Sequence, residues 1–217
     1  MTAAISIPLW ADLLAVGVAG VQGAMLAAEL RDRRLDLLGV AIVGTATGLG
    51  GGLLRDLFLG VPPTALGTNW YLPVAVLAAI IGMLLQQLFA RVDWAITALD
   101  ALTIGLFGAI GTSKALSLGV PFVPSIFIGT VAAVGGGIIR DVLLGVPIAL
   151  MHVGSLYAVA AVAGTFLLAT LEYVAVPIEA AAVACVVTTT VIRVLAVRFG
   201  WSLPEQRALA RLARPRL

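Results

Sequence analysis

Seven long apolar segments run through this 217-residue chain and restrict what it can fold into. They lie near residues 9–28, 37–58, 70–90, 95–118, 122–143, 153–172 and 177–199. A helix needs about 20 apolar residues to cross roughly 30 Å of hydrocarbon, and every segment reaches that length. A membrane β-barrel would need alternating polar and apolar residues instead. The sequence therefore predicts an all-α membrane protein with seven transmembrane helices.

The composition excludes a soluble enzyme. Charged residues make up 11% of the chain, whereas a soluble domain has roughly 25%. One histidine (His152) and one cysteine (Cys185) exclude a two-histidine metal site and an intrachain disulfide. No set of nucleophile, base and orienting group can be assembled, so we expect no enzymatic activity and no cofactor. The net charge of +2 gives no reason to expect nucleic-acid binding.

The arginines predict an orientation in the membrane. They cluster after the first and third segments, and at the end of the seventh and beyond. These arginines are Arg31, Arg33, Arg34, Arg91, Arg193, Arg198, Arg207, Arg211, Arg214 and Arg216. Because basic loops stay in the cytoplasm, we expect a plasma (inner) membrane protein with its N-terminus outside and its C-terminus inside. The basic tail, 201–217, is an anchor to anionic lipid or a site of specific lipid regulation.

A duplication organises the chain. Residues 50–62 read GGGLLRDLFLGVP and residues 135–147 read GGGIIRDVLLGVP, with nine of 13 positions identical at an offset of 85. Upstream, Asp12 and three glycines match Asp100 and three glycines at an offset of 88. We expect two three-helix repeats, 1–94 and 95–175, followed by a seventh helix at 176–200. Since three crossings is an odd number, the second repeat is inverted, an arrangement that commonly holds a transport site at the repeat interface.

The glycine triplets of the two copies have two interpretations. They provide close helix packing, or they interrupt and kink the second and fifth helices and expose backbone carbonyls to a polar pathway. Nearby threonines line that pathway or bond to their own helix backbone. The residues concerned are Gly50, Gly51, Gly52, Gly135, Gly136, Gly137, Thr45 and Thr130.

The charged motif residues also leave alternatives. Arg55-Asp56 and Arg140-Asp141 are interfacial anchors, ion pairs between the copies such as Arg55 with Asp141, or groups that shape the field of a pathway. Adjacent helical residues point about 100° apart, so we expect the Arg and Asp of one copy to have different partners.

Three further charges lie near the motifs. Asp12 and Asp100 begin their segments, where a carboxylate favours a helix N-terminus or forms a cation-attracting vestibule. Lys114, the single lysine, has Leu26 at the matching position of the first copy. It extends toward the membrane surface or acts as a gate.

The doubled GGGxxRDxxLGxP motif, set in a three-plus-three-plus-one arrangement, resembles the bacterial branch of the trimeric intracellular cation (TRIC) channels. The resemblance covers nearly the whole chain to about Phe199. It implies a homotrimer with a pore through each subunit, in which bent second and fifth helices, with the first and fourth, surround a pathway for K⁺ and other monovalent cations. No metal is fixed. The same sequences have also been labelled a glycine-transporter-like domain.

Three functions are therefore compared. The first is a passive channel for monovalent cations. The second is a secondary transporter of a small zwitterion such as glycine, which an inverted repeat also suits. The third is a structural membrane protein without a conducting path.

Overall fold

Seven α-helices form the part of the chain that the structure, a computed structural model, describes: residues 8–30, 35–89, 93–151 and 156–203. The helices are α1 (Leu9–Glu29), α2 (Leu37–Leu59), α3 (Tyr71–Phe89), α4 (Asp93–Ser117), α5 (Phe122–Leu144), α6 (Tyr157–Tyr173) and α7 (Ile178–Phe199). Each helix end lies within four residues of the predicted segment end, and none of these residues is in a strand. The all-α class is confirmed.

Five helices are long and apolar enough to cross a membrane: α1, α2, α4, α5 and α7. The apolar stretches of α3 (Tyr71–Gln86) and of α6 are shorter. At 1.5 Å per residue, the 17 residues of α6 span about 26 Å, so a crossing by all seven helices stays a prediction. The predicted basic loops (Arg31, Arg33, Arg34 and Arg91), His152 and the tail from residue 204 lie outside the described residues.

The centre of the bundle consists of α1, α2, α4 and α5. The contacts among the helices of the first copy recur among those of the second. In the first copy α1 packs on α2 and α3, and in the second copy α4 packs on α5 and α6. The copies meet where α2 packs on α5 and α1 packs on α4. The seventh helix, α7, packs on α4 and α6. The helix contacts of the two copies are therefore similar; we call α1–α3 the first unit and α4–α6 the second unit, and α7 packs on the second.

Small residues allow the helices of each unit to approach closely. A Cβ added to Gly48 of α2 would lie 2.8 Å from the carbonyl oxygen of Val16 in α1. A Cβ on Gly44 of α2 would lie 2.9 Å from the carbonyl oxygen of Gly20 in α1, and in the second copy a Cβ on the matching Gly129 of α5 would lie 3.0 Å from that of Gly108 in α4. Glycines at four-residue spacing therefore provide the predicted packing face.

The glycine triplets lie where α2 and α5 cross. A Cβ on Gly51 would collide with the carbonyl oxygen of Ala132, and a Cβ on Gly136 would collide with that of Thr47. Both helices continue without a break through the triplets. The expected interruption of these helices is therefore wrong. Both remain regular α-helices, and the absence of a side chain at the glycines allows the two backbones to approach closely. A bend of the helix axes stays a prediction.

The end of each motif turns the chain back toward the bundle. Gly60 and Gly145, with φ of 66° and 58°, end α2 and α5 in the left-handed region that glycine adopts readily. Each is followed by Val-Pro and then by a short 3₁₀ turn, Thr64–Leu66 in the first copy and Ala149–Met151 in the second. The first residue of each turn thereby lies within reach of the motif aspartate.

Candidate functional site

Buried charges gather at the end of α2, in what we call the first cluster. Its members are Asp12, Arg55, Asp56, Thr64, Tyr71 and Lys114. The Arg55 side chain is 2% exposed and that of Asp56 is 1% exposed. Charges buried to this degree are stable only when they are paired and hydrogen-bonded.

Arg55 joins two carboxylates in this cluster. Its Nε donates to Asp56 Oδ1 at 2.7 Å, and its Nη1 lies 3.4 Å from Asp12 Oδ1. The other oxygen of Asp12 accepts from the Tyr71 hydroxyl at 2.7 Å. The expectation that Arg55 and Asp56 have different partners is therefore wrong. The long arginine side chain reaches back to its neighbour despite the angle between the two Cα–Cβ bonds. The suggested pair of Arg55 with Asp141 is not formed.

Asp56 connects the cluster to the turn after α2 and to the second copy. Its Oδ2 accepts from the backbone N–H of Thr64 at 2.6 Å and from the Thr64 hydroxyl at 2.7 Å. Lys114 Nζ lies 2.8 Å from Asp56 Oδ1 and 2.7 Å from the Thr64 hydroxyl oxygen. Lys114 therefore forms an ion pair from α4 to the first copy, and its side chain is 21% exposed.

A similar second cluster lies at the end of α5. Its members are Gln22, Asp100, Arg140, Asp141, Tyr157 and Arg193. Arg140 Nη2 lies 2.8 Å from Asp141 Oδ1, and its Nη1 lies 3.7 Å from Asp100 Oδ1. Asp141 Oδ2 accepts from the backbone N–H of Ala149 at 2.9 Å. Arg140 also pairs with its own neighbour, as Arg55 does in the first copy.

Three residues of the second cluster were missed by sequence reasoning. Gln22 accepts from Arg140 Nη1 at 2.9 Å and donates to Asp100 Oδ1 at 3.3 Å. Tyr157 donates to Asp100 at 3.3 Å, and the guanidinium of Arg193 lies 4.8 Å from the Tyr157 ring centre. Polar residues inside apolar segments were a usable signal for all three.

The two clusters lie at opposite ends of the central helices. On α1, Asp12 and Gln22 are ten residues apart, which is about 15 Å along the axis. Between them the core is apolar and includes Val16, Phe107 and Ile110.

Phe107 is 2% exposed, and its ring lies 3.3 Å from where a Gly51 Cβ would be. Phe107 was also missed, although it is the one aromatic residue among the glycines of the fourth segment.

The remaining predicted residues have varied positions. Asp12 lies in the first turn of α1 as expected, but Asp100 lies seven residues after the start of α4 at Asp93. Its expected role at a helix N-terminus is therefore wrong, because Asp100 lies almost two turns inside α4. Thr45 is half-buried, and the Thr130 hydroxyl lies 3.2 Å from that of Thr165 in α6.

Known proteins resemble this chain over most of its length. The family model described as "Glycine transporter" matches residues 9–87 and 97–173. The UPF0126 inner membrane protein YadS of Escherichia coli (strain K12) is 33% identical over 203 residues, covering 90% of this chain and 94% of that protein. A UPF0126 membrane protein of Deinococcus radiodurans is 35% identical over 71% of this chain and 72% of its own length.

Solved structures share the fold. A structure described as explaining conductance through TRIC cation channels has a TM-score of 0.80 at 31% identity, covering 91% of this chain and 96% of that one. The TRIC trimeric intracellular cation channel orthologue from Rhodobacter sphaeroides has a TM-score of 0.81 at 27% identity, covering 89% of this chain and 98% of that one.

Proposed function

Because the chain belongs to the TRIC cation-channel family, whose sequence model is described as a glycine transporter, we propose that it is a passive channel for monovalent cations such as K⁺. The observation that carries the proposal is the match to a TRIC cation channel over 91% of the chain at 31% identity. Two buried charged clusters, at opposite ends of the central helices, support it.

In this proposal the two repeats have inverted topology, and each subunit of a homotrimer contains its own pathway. The pathway runs between α1, α2, α4 and α5, from one cluster to the other. The glycine triplets, Thr45 and Thr130 are its predicted lining, and the charged residues of the clusters set its field. The N-terminus lies outside the plasma membrane and the arginine-rich tail lies inside, against anionic lipid.

Phe107 closes the pathway in the proposed channel. It lies between the clusters in an apolar core, and hydrophobic constrictions gate pores by excluding water. The charges of each cluster balance in this closed state: Asp12 and Asp56 face Arg55 and Lys114 in the first. A cation that enters a cluster then competes with a lysine or an arginine for the carboxylates.

A second candidate is a secondary transporter for a small zwitterion such as glycine. The same balance of carboxylates and cations favours it, because a zwitterion offers one group to each sign of charge. In that case a cluster would be a binding site that becomes accessible from one side at a time.

Purified full-length protein in liposomes distinguishes the two functions. A channel gives single-channel current steps under a K⁺ gradient and is indifferent to added glycine. A transporter gives saturable, gradient-coupled glycine uptake without steps. If neither current nor uptake exceeds that of empty liposomes, both proposals fail.

The Phe107→Ala variant tests the closing residue. We expect a higher K⁺ flux per folded protein, because the constriction becomes wider and wets more easily. Phe166→Ala on α6 is the matched control, since Phe166 is 53% exposed, contacts Phe122 at the start of α5 and lies outside the apolar cluster that holds Phe107. Equal fluxes for the two variants would exclude Phe107 as the gate.

A further inference from the structure

Each cluster contains two carboxylates and two cationic side chains. The second cation comes from α4 in the first cluster and from α7 in the second. The first holds Asp12, Asp56, Arg55 and Lys114. The second holds Asp100, Asp141, Arg140 and Arg193. Three members of each set match at offsets of 85 or 88 residues. The fourth member does not, because Leu26 stands at the position that matches Lys114.

We propose that Arg193 of α7 is the counter-charge that replaces this missing lysine, and that it positions Asp100 and Arg140 in the second cluster. Arg193 Nη2 lies 3.3 Å from Asp100 Oδ2, and Arg193 is 7% exposed. Without it, two buried carboxylates would share Arg140. The seventh helix thereby supplies the charge that the second copy lacks.

Electrostatics explains why such a replacement is needed. A buried carboxylate without a cation is far more costly at membrane depth than in water. Arg140 is closer to Asp141, at 2.8 Å, than to Asp100, at 3.7 Å. Arg193 therefore neutralises the carboxylate that Arg140 reaches less well, and its contact with the Tyr157 ring fixes the direction of its guanidinium.

The different source of the charge makes the two ends unequal. Lys114 reaches Asp56 from the other copy, so its ion pair connects the two copies. The ion pair of Arg193 joins α7 to Asp100 of α4, so it does not connect the two copies. The contact between the copies at this end comes from the uncharged Gln22 of α1, which makes hydrogen bonds to Arg140 and Asp100. Separating the copies at the second end leaves every one of these carboxylates paired, whereas at the first end it breaks an ion pair.

A set of variants in the full-length protein tests the inference by thermal melting in detergent. Arg193→Gln should lower the melting temperature by about 10 °C, because it removes one partner of a buried pair. Arg198→Gln, on the exposed end of the same helix, is the control and should melt like the wild type. Arg193→Lys should recover part of the loss.

Two compensating changes separate charge balance from packing. Arg193→Gln combined with Asp100→Asn should melt above Arg193→Gln, since the carboxylate that needs a cation is gone. Leu26→Lys should lower the melting temperature of the wild type, where it adds a surplus cation, and raise that of Arg193→Gln. Leu26 packs in a cluster with Leu144, near the end of α5 that carries Asp141, so the new amine is placed as Lys114 is. Where Arg193→Gln does not fold, rescue is measured as the yield of folded protein in gel filtration.

The inference fails if Arg193→Gln melts like Arg198→Gln, or if the change of Asp100 to Asn does not rescue it. The inference about Arg193 rests on the proposed channel function for one measurement only. That measurement is the K⁺ flux of the rescued variants, which should return toward the flux of the wild type. If wild-type protein conducts no K⁺, the proposed function fails, and the melting temperatures still decide the role of Arg193. Rescued variants that fold but do not conduct, beside a conducting wild type, would overturn the positioning role.

Discussion

The motif aspartates act as remote caps as well as ion-pair partners. In each copy the carboxylate accepts from a backbone N–H eight residues later, that of Thr64 for Asp56 and that of Ala149 for Asp141. The Leu-Gly-Val-Pro segment between them ends the helix and returns the chain to the carboxylate. The spacing of the doubled motif thus has a structural reason beyond any pathway.

The hydroxyl of Thr64 is the main difference between the two caps. It donates to Asp56 and lies within hydrogen-bond distance of Lys114, whereas the second copy has an alanine there. Thr64→Ala should destabilise the protein by about 1.5–3 kcal/mol, the usual loss for a hydrogen bond to a charged group. Denaturation in detergent measures it, and Thr64→Ser is the control that retains the hydroxyl. Equal stability of the two variants would contradict this role.

Lys114 offers a residue-scale test of the field along the proposed pathway. Lys114→Met removes a positive charge 2.8 Å from Asp56, which leaves the first cluster more negative. Cation flux per folded protein should rise about fivefold, the factor for roughly 1 kcal/mol from one charge at close range in water-like surroundings. Lys114→Arg keeps the charge and serves as the control. If the methionine variant conducts no better than the arginine variant, Lys114 does not shape the field.

At the scale of elements, the apolar pattern predicted the helices well because length and continuity of apolar residues are local properties. The ion-pair partners of the charged groups were harder to predict, because they depend on how the helices pack. A pair of Arg55 with Asp141 was one of the alternatives that the sequence left open, yet the contacts of Arg55 are with Asp56 and Asp12. The inversion expected from three crossings implies that the two motif copies end at opposite ends of the bundle, so it already argued against this pair. Nothing in the repeat shows that Arg193, outside the duplication, completes a cluster within it.

The crossing of α2 and α5 allows a sharp test of the glycine triplets. Gly51→Ala should strongly lower stability, because its Cβ would collide with the Ala132 carbonyl oxygen, which belongs to a helix backbone and cannot easily move. Gly52→Ala is the matched control, since the nearest atom to its Cβ, Arg55 Nη2, is 3.8 Å away. Melting temperatures of the two purified variants provide the comparison. If both variants melt alike, close helix contact does not explain the triplet.

The close crossing of α2 and α5 also limits which glycine substitutions can test ion flux. Larger side chains at Gly51 and Gly136 would crowd a pathway there, but already the Cβ of each would meet the backbone of the facing helix. Loss of flux in such a variant would report loss of folding. Gly52, with room around it, is the better position for testing effects on flux.

At the scale of the whole molecule, sidedness decides whether the duplication is an inverted repeat. Leu66 and Met151 are the last residues of the matching 3₁₀ turns, and they are 72% and 76% exposed. If the repeats are inverted, these matching residues face opposite sides of the membrane. With the N-terminus outside, Leu66 lies on the outer side and Met151 on the cytoplasmic side.

Cysteine labelling in intact cells tests this arrangement. Cys185, the one native cysteine, is 0% exposed and gives a low background. A membrane-impermeant thiol reagent should label Leu66→Cys in intact cells, and should label Met151→Cys only after the membrane is permeabilised. Labelling of both variants from the same side would exclude inversion, because matching positions would then share a face. The opposite pattern, with Met151→Cys labelled first, would keep the inverted repeat and reverse the predicted orientation, so that the arginine-rich tail would lie outside.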